Sequence, residues 1–302
     1  MGYLVKNVLQ ECNIFSRSSL CDKKYRVCPE IIMKVIVLSD NIGSGELQGE
    51  WGLSFYIEFN GRKYLLDTGG SDLFLNNAEK LGLDISDVDC AILSHAHYDH
   101  SLGMESFFRA NSKADFFVSP NAGENCYAGR CFLSRYIGLP KGVLSTYRER
   151  IKMPSGVAEI DKDVFVVPHS TDGLSKIGRR SHLYVRRGWR FLPDDFSHEQ
   201  SLVFRTDRGL VIFNSCSHSG ADVVMEEVGR AFPGESVVAY LGGLHLFRLN
   251  GSEVREIALR IRKSGISRVI TGHCTGDNAF AVLKSCLGDA IDQFHCGMSV
   301  EL

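Results

Sequence analysis

The segment Ser94-His95-Ala96-His97-Tyr98-Asp99-His100 puts three histidines and an aspartate within seven positions. In near-extended backbone, side chains alternate with period two, so His95 and His97 project to one side and can reach a single ion. Asp99 and His100 follow where the chain turns toward a helix, and from there reach a second ion a few ångströms away. Imidazole and carboxylate are donors that zinc, iron and manganese accept. Two such ions would polarise a bound oxygen and bring the pKa of bound water to about 7. No separate strong base is then required.

Four further segments carry residues of the same kinds: Leu65-Leu66-Asp67-Thr68-Gly69, Asn214-Ser215-Cys216-Ser217-His218-Ser219-Gly220, Gly242-Gly243-Leu244-His245-Leu246 and Thr271-Gly272-His273-Cys274-Thr275-Gly276. Each follows a strand-like run. With H-x-H-x-D-H they resemble the metallo-β-lactamase superfamily. The joint occurrence of C-S-H-x-G, G-G-x-H-L and G-H-C-T-G resembles its dihydropterin-ribofuranosylaminobenzene-phosphate-synthase-like branch. The resemblance runs from about Lys34 to the C-terminus and implies an α/β fold, a four-layer αββα sandwich of two similar halves, as one domain over 34–302. It implies ligands His95, His97 and His218 for one ion and Asp99, His100 and His273 for the other, with Asp67 orienting the loop from behind. Asp99 and His245 are the catalytic candidates; His245 faces the substrate, and it or Tyr98 would protonate a leaving group.

One departure matters. Most superfamily members place a metal-bridging Asp after the paired strands, where this chain has Ser215-Cys216-Ser217-His218. Either Cys216 supplies a thiolate, which favours zinc or iron, or His218 takes the place and another residue completes the first ion. His198, just ahead of the strand beginning at Ser201, is the candidate for that completion.

The resemblance implies a binuclear metal-dependent hydrolase that attacks a small ester or phosphoester through a metal-bound hydroxide. The alternatives are a metal-dependent transferase joining a pterin methyl diphosphate to an aromatic amine, and a noncatalytic metal-containing ligand sensor. The expected cofactors are two divalent ions, zinc first, then iron or manganese. A flavodiiron-type oxidoreductase would need an acidic residue where Ala96 and Tyr98 stand.

To hold these residues the chain must bring several strand ends together. Residues 34–40 read as the first strand, and 54–60 with 62–67 as a hairpin turning on Asn60-Gly61. A helix at 71–81, a strand at 88–93, a helix at 103–109 and a strand at 115–119 follow. The second half has strands at 164–167, 182–185, 201–206 and 209–214, then helices at 221–231, 253–263 and 278–287 alternating with strands at 236–241 and 268–271. Residues 120–160 lose periodicity and are expected to form a long surface loop over the site. Its Tyr127, Arg130, Arg135, Tyr136, Lys141, Tyr147, Arg148 and Arg150 read equally as a lid for an anionic ligand or as solvated side chains. Cys126 and Cys131 lack a partner pair for a separate zinc knuckle.

With 302 residues, 44% hydrophobic and 23% charged, the chain can bury a sizeable core. A net charge of -2 gives no overall attraction for nucleic acid or anionic membrane, which argues against a nuclease. No apolar run approaches the roughly 18 residues of a membrane span. Ten cysteines without a secretory signal are expected to be reduced thiols in a cytoplasmic protein. The expected partner is a small-molecule substrate, an anionic one on the lid reading, with the oligomeric state left open. Residues 1–33 read as an appendage, introduced by an upstream start codon ahead of Met33.

Overall fold

A computed structural model of the chain describes residues 33–130, 133–169 and 171–302. The appendage expected over 1–33 lies outside these residues except for Met33, which is buried and exchanges backbone hydrogen bonds with Leu302.

Two mixed seven-stranded sheets face each other. The first runs, edge to edge, Ser299–Glu301, Lys34–Ser39, Ser54–Phe59, Arg62–Leu66, Cys90–Ile92, Asp115–Phe117 and Ile151–Lys152. The second runs Ile291–Gln293, Arg268–Thr271, Val237–Leu241, Gly209–Phe213, Gln200–Thr206, Val164–Pro168 and Ala158–Asp161. In each half, antiparallel pairs come first and parallel strands alternating with helices follow, as expected of two similar halves. The first hairpin turns on Asn60 and Gly61 at φ of 52° and 75°, the left-handed pair that a two-residue turn requires.

Both faces of the central strands are covered, so their sequences are apolar at nearly every position. In Lys34–Ser39, Val35 and Val37 enter the layer between the sheets, whereas Ile36 and Leu38 pack under the helices Leu73–Lys80 and Met104–Ala110. In Gly209–Phe213, Val211 and Phe213 face the other sheet while Leu210 and Ile212 face the helices Ala221–Ala231, Gly251–Lys263 and Asp277–Leu287. Three apolar layers therefore separate four layers of structure.

Residues 120–160 are not the long loop that loss of periodicity suggested. Cys126–Arg130 and Leu133–Tyr136 form a hairpin that joins Leu183–Arg187 and Arg190–Pro193 in a third sheet of four strands. Short strands with one solvated face carry too few apolar positions to show a period. Of the side chains that read equally as a lid or as solvated, several are used in packing. Arg150 donates to the carbonyls of Asn111 and Ala114, Tyr147 stacks on Phe108 at 4.1 Å, and Lys141 lies 3.7 Å over Tyr136.

All six cysteines among the described residues are free thiols. Among the described residues no helix is long and apolar enough to cross a membrane.

Candidate metal centre

Parallel strands deliver their carboxyl ends to one edge of the two sheets, and every expected site residue lies in a loop or short helical turn at that edge. Asp67 follows Arg62–Leu66, and the His95 to His100 segment follows Cys90–Ile92. The Cys216-His218, His245 and His273 loops follow Gly209–Phe213, Val237–Leu241 and Arg268–Thr271.

Asp67 is fully buried and accepts three hydrogen bonds, from the Ser94 amide at 2.7 Å, the Ser94 hydroxyl at 2.6 Å and His100 Nδ1 at 2.8 Å. The carboxylate can only accept, so His100 carries its proton on Nδ1 and turns the Nε2 lone pair inward. Ser94 Oγ, having given its proton to Asp67, accepts from His95 Nδ1 at 2.9 Å, which leaves the His95 Nε2 lone pair bare. A single carboxylate thus fixes the tautomers of two imidazoles.

His273 is held in the same way by residues the sequence reading did not single out. Asn41 donates Nδ2 to the His273 carbonyl at 3.0 Å, which orients its Oδ1 to accept from His273 Nδ1 at 3.1 Å. Asp40 accepts the His273 amide at 2.9 Å. His273 Nε2 then faces Asp99 Oδ2 at 3.5 Å. Burial opposes charge on His273, but the nearby Asp99 carboxylate, with Cys274 and Asp40, outweighs it and pushes the imidazole up to about 9.

The Cys216-His218 loop is fixed from beneath. Asn214 Oδ1 accepts the Ser217 amide at 2.7 Å, Ser217 Oγ donates to the Gly243 carbonyl at 2.6 Å, and the His218 amide donates to Glu199 at 3.1 Å. A Cβ on Gly242 would lie 1.8 Å from the Asn214 carbonyl, so glycine is required for the two loops to pass. His218 stacks on Phe196 at 4.2 Å and approaches His95 and His97 at ring separations of 5.0 and 5.1 Å.

The three candidates for completing the ligand set are placed differently. His218 faces His95 and His97 with neither ring nitrogen hydrogen-bonded. Cys216 Sγ lies 3.3 Å from His100 Nε2 and 3.5 Å from Cys274 Sγ. His198 accepts the Ala96 amide on Nδ1 at 3.2 Å and meets Asp194 through Nε2 at 3.2 Å, so both of its nitrogens are engaged. Burial opposes ionisation of Asp194, but His198 and His97 outweigh it and hold its carboxyl well below the usual range. Asp194 and Cys126 join His97 and His198 in a buried group that the sequence reading missed, because its members stand 97 to 198 in the chain and share no motif. Tyr98, offered as a proton donor, packs against the core and Arg135.

Buried polar atoms ordinarily have partners. Here His95 Nε2, His97 Nε2, His273 Nε2 and both nitrogens of His218 have none; His95, His97 and His218 converge on one another, Cys216 lies with His95 and His100 and also with His273 and Cys274, and Asp99 faces His273. Burial, reinforced by neighbouring imidazoles, keeps His95 and His218 well below the ordinary imidazole range, and burial also lowers His97. Neutral imidazoles with converging lone pairs, a carboxylate and a thiol are a donor set that fits divalent transition metals.

His245 closes one side, 4.4 Å from His218 ring to ring, with Nδ1 unpartnered. Beyond it Phe247 lies 5.4 Å from His245 and Trp51 lies 4.9 Å from His273. On the other side a cavity of about 560 Å³ is lined by His218, Ser219, Gly220, His245, Arg180 and Arg248 among others.

The profile of the metallo-beta-lactamase superfamily matches residues 52–229. The 7,8-dihydropterin-6-methyl-4-(beta-D-ribofuranosyl)-aminobenzene-5'-phosphate synthase of Methanocaldococcus jannaschii is 26% identical over 266 residues, covering 83% of this chain and 89% of its own. The crystal structure of Tm1679, a metal-dependent hydrolase of the beta-lactamase superfamily, superposes with a TM-score of 0.75 at 28% identity, covering 89% of this chain and 99% of that one. YhfI from Bacillus subtilis shares the fold at a TM-score of 0.56 and 12% identity, over 90% of this chain and 100% of its own. With its sandwich of two sheets and its buried ligand clusters at their common edge, this chain is a metal-dependent enzyme and belongs to the metallo-β-lactamase superfamily.

Proposed function

We propose that the protein is a transferase that joins the methylene carbon of a pterin methyl diphosphate to the nitrogen of an aromatic amine. The observation that carries this reading is the pair of aromatic rings at the mouth of the imidazole cluster. Trp51 is 43% exposed and Phe247 39%, with ring centroids 5.6 Å apart. Large apolar rings left in solvent beside a polar site offer stacking area to a planar ligand. A small aliphatic ester would have no use for them. The methanogen relative is named for a product that unites a dihydropterin methyl group with an aminobenzene bearing a ribofuranosyl phosphate, so both halves of that product contain planar rings.

In this reading His95, His97 and His218 would hold one divalent ion and Asp99, His100 and His273 the other, with Cys216 beside His100. Zinc or iron suits the mixture of imidazole, carboxylate and thiol better than manganese. When bound, such ions supply Lewis acidity toward phosphate oxygens. The amine nitrogen attacks the methylene carbon; the new C–N bond forms as the C–O bond to diphosphate breaks, inorganic diphosphate leaves, and the amine gives up a proton. His245 Nδ1, which has no hydrogen-bond partner, is placed to take that proton. Asp67, Ser94, Asn41 and Asp40 hold the imidazoles in the orientation and tautomer the site needs.

A hydrolase of small phosphoesters is the second reading, favoured by the likeness to Tm1679. One experiment separates the two. The metal-reconstituted protein is given a pterin methyl diphosphate with and without an arylamine, and diphosphate release and the mass of the coupled product are followed. A coupled product that requires both substrates is expected. Equal diphosphate release without the amine, and no coupled product, would replace the transferase by the hydrolase.

A further inference from the structure

We infer that the cavity between the start of helix Ala221–Ala231 and the segment that follows His245 is an anion subsite, which receives a phosphate or diphosphate group of the substrate. The inference rests on the transferase reading for the identity of the substrate, but the existence of the subsite rests on the cavity itself.

The cavity, about 560 Å³, opens beside His218 and His245 and is large enough for a diphosphate together with part of the group that bears it. Ser219 lines it, is only 8% exposed, and has a hydroxyl with no hydrogen-bond partner. A buried hydroxyl without a partner is costly unless a ligand satisfies it. Next to Ser219, Gly220 begins an eleven-residue helix whose N-terminus no side chain caps. The amides of that first turn and the helix dipole favour a negative charge in front of them.

The charged side chains that face the cavity are Arg180, Arg248, Arg260 and Glu253. Two of them are already committed. Arg260 Nε pairs with Asp222 at 2.5 Å, and Glu253 accepts the Asn250 amide at 2.9 Å in a capping box. Among the described residues no carboxylate pairs with Arg180 or with Arg248, whose guanidinium rests 5.1 Å over the Phe247 ring, so neither charge is neutralised and both can meet an anion. Guanidinium groups, a serine hydroxyl and backbone amides together form the donor set that phosphate oxygens accept. The geometry also explains why arginines of the 120–160 region are not needed for this purpose: the subsite is built from the opposite half of the chain, against the loop that carries His218.

The test is equilibrium dialysis of the metal-containing full chain with labelled inorganic diphosphate and, in a second arm, labelled ribose 5-phosphate. Metal content is measured on every sample. The Arg180→Ala/Arg248→Ala variant is expected to bind the preferred anion at least tenfold more weakly at unchanged metal content. Ser219→Ala should weaken it by a smaller factor. Arg255→Ala, an exposed arginine outside the cavity, should bind as wild type. Preference for diphosphate identifies the subsite with the leaving group, and preference for the sugar phosphate with the phosphate of the acceptor. Wild-type affinity in the double arginine variant, or no anion binding by the wild-type chain, overturns the inference. Because metal content is read separately, failure of the subsite is distinguishable from failure of the metal-centre reading, and neither depends on the coupling assay.

Discussion

Replacing Asp67 by Asn keeps the shape of the side chain and changes what it can accept. The carboxylate takes hydrogen bonds from the Ser94 amide at 2.7 Å, the Ser94 hydroxyl at 2.6 Å and His100 Nδ1 at 2.8 Å. An amide offers one accepting oxygen and one donating nitrogen. Facing the Ser94 amide, that nitrogen would set two donors against each other, so it takes the other position and donates toward Ser94 Oγ and His100 Nδ1. The Ser94 hydroxyl proton is then released toward His95 Nδ1, 2.9 Å away. Both imidazoles are driven to carry their proton on Nε2, the nitrogen each turns into the cluster. One substitution therefore masks a donor in each of the two proposed ligand sets.

Loss of such outer partners costs roughly 10–100-fold in metal affinity, which is about 1.4–2.8 kcal/mol per ion. Loss of hydrogen bonds to a charged group removes a further ~1.5–3 kcal/mol of stability. Chelator competition resolving two zinc ions, with urea denaturation of the same samples, reads both quantities. Ser94→Ala breaks only the arm to His95 and should weaken one ion. Wild-type affinity for both ions in Asp67→Asn, or a loss confined to one of them, would refute the relay.

Three further outcomes are expected. His218→Ala should lose about one ion per chain while Cys216→Ser keeps nearly full metal content, since imidazole suits either zinc or iron; elemental analysis showing the reverse would transfer the ligand role to Cys216. Because burial holds His95, His97 and His218 below the ordinary imidazole value near 6.5, their lone pairs stay available until the pH falls through those lowered values. Release of the ion assigned to His95, His97 and His218 should therefore have its midpoint below pH 6.5, whereas His273, pushed up to about 9, should let the other ion leave first; a midpoint above 6.5 for both ions, followed by a chromogenic chelator, would contradict the assignment. Phe204→Ala should cost about 3–5 kcal/mol in urea denaturation, because the fully buried ring meets Phe59, Tyr64 and Phe213 at 5.1, 5.4 and 5.6 Å between the sheets.

What could be read from the sequence was local. The Asn60-Gly61 turn, the apolar runs of the central strands and the spacing of His95, His97, Asp99 and His100 each express a rule that acts over a few residues. The third sheet escaped because its strands are short and one-sided. The residues behind the imidazoles escaped for another reason. Asp40 and Asn41 reach His273 from 233 and 232 positions away in the chain and Asp194 meets His97 from another loop, and such accounting has no sequence period. His198 shows the same limit: its position ahead of a strand made it a ligand candidate, and only the Ala96 amide on its Nδ1 reveals that both nitrogens are used. Arg180 and Arg248 were passed over in favour of a loop richer in cations, because charge density along a chain does not say which charges lack partners.

Eight non-glycine residues among those described have positive φ, and five of them, Asp67, Phe196, Ser217, His245 and His273, lie at the metal centre. Each such backbone costs on the order of 1–3 kcal/mol unless its surroundings over-determine it. At His273 those surroundings are Asp40, which accepts the His273 and Ile42 amides at 2.9 and 3.0 Å, and Asn41, which donates to the His273 carbonyl. None of these bonds uses the imidazole. His273→Ala should therefore leave the loop in place and lose metal with little loss of stability. Asp40→Ala leaves two amides without their acceptor, the buried one of His273 at about 1–3 kcal/mol and the solvent-reachable one of exposed Ile42 at less, and should destabilise the chain although Asp40 is no ligand candidate. Burial pushes the Asp40 carboxyl up, against the pull of the amides and of His273, so removing it also relieves part of a desolvation cost and the net loss should fall below the sum for two amides. Urea denaturation of the two variants decides the matter: a larger loss in His273→Ala than in Asp40→Ala would mean that the imidazole, and not the bonds behind it, holds this strained turn.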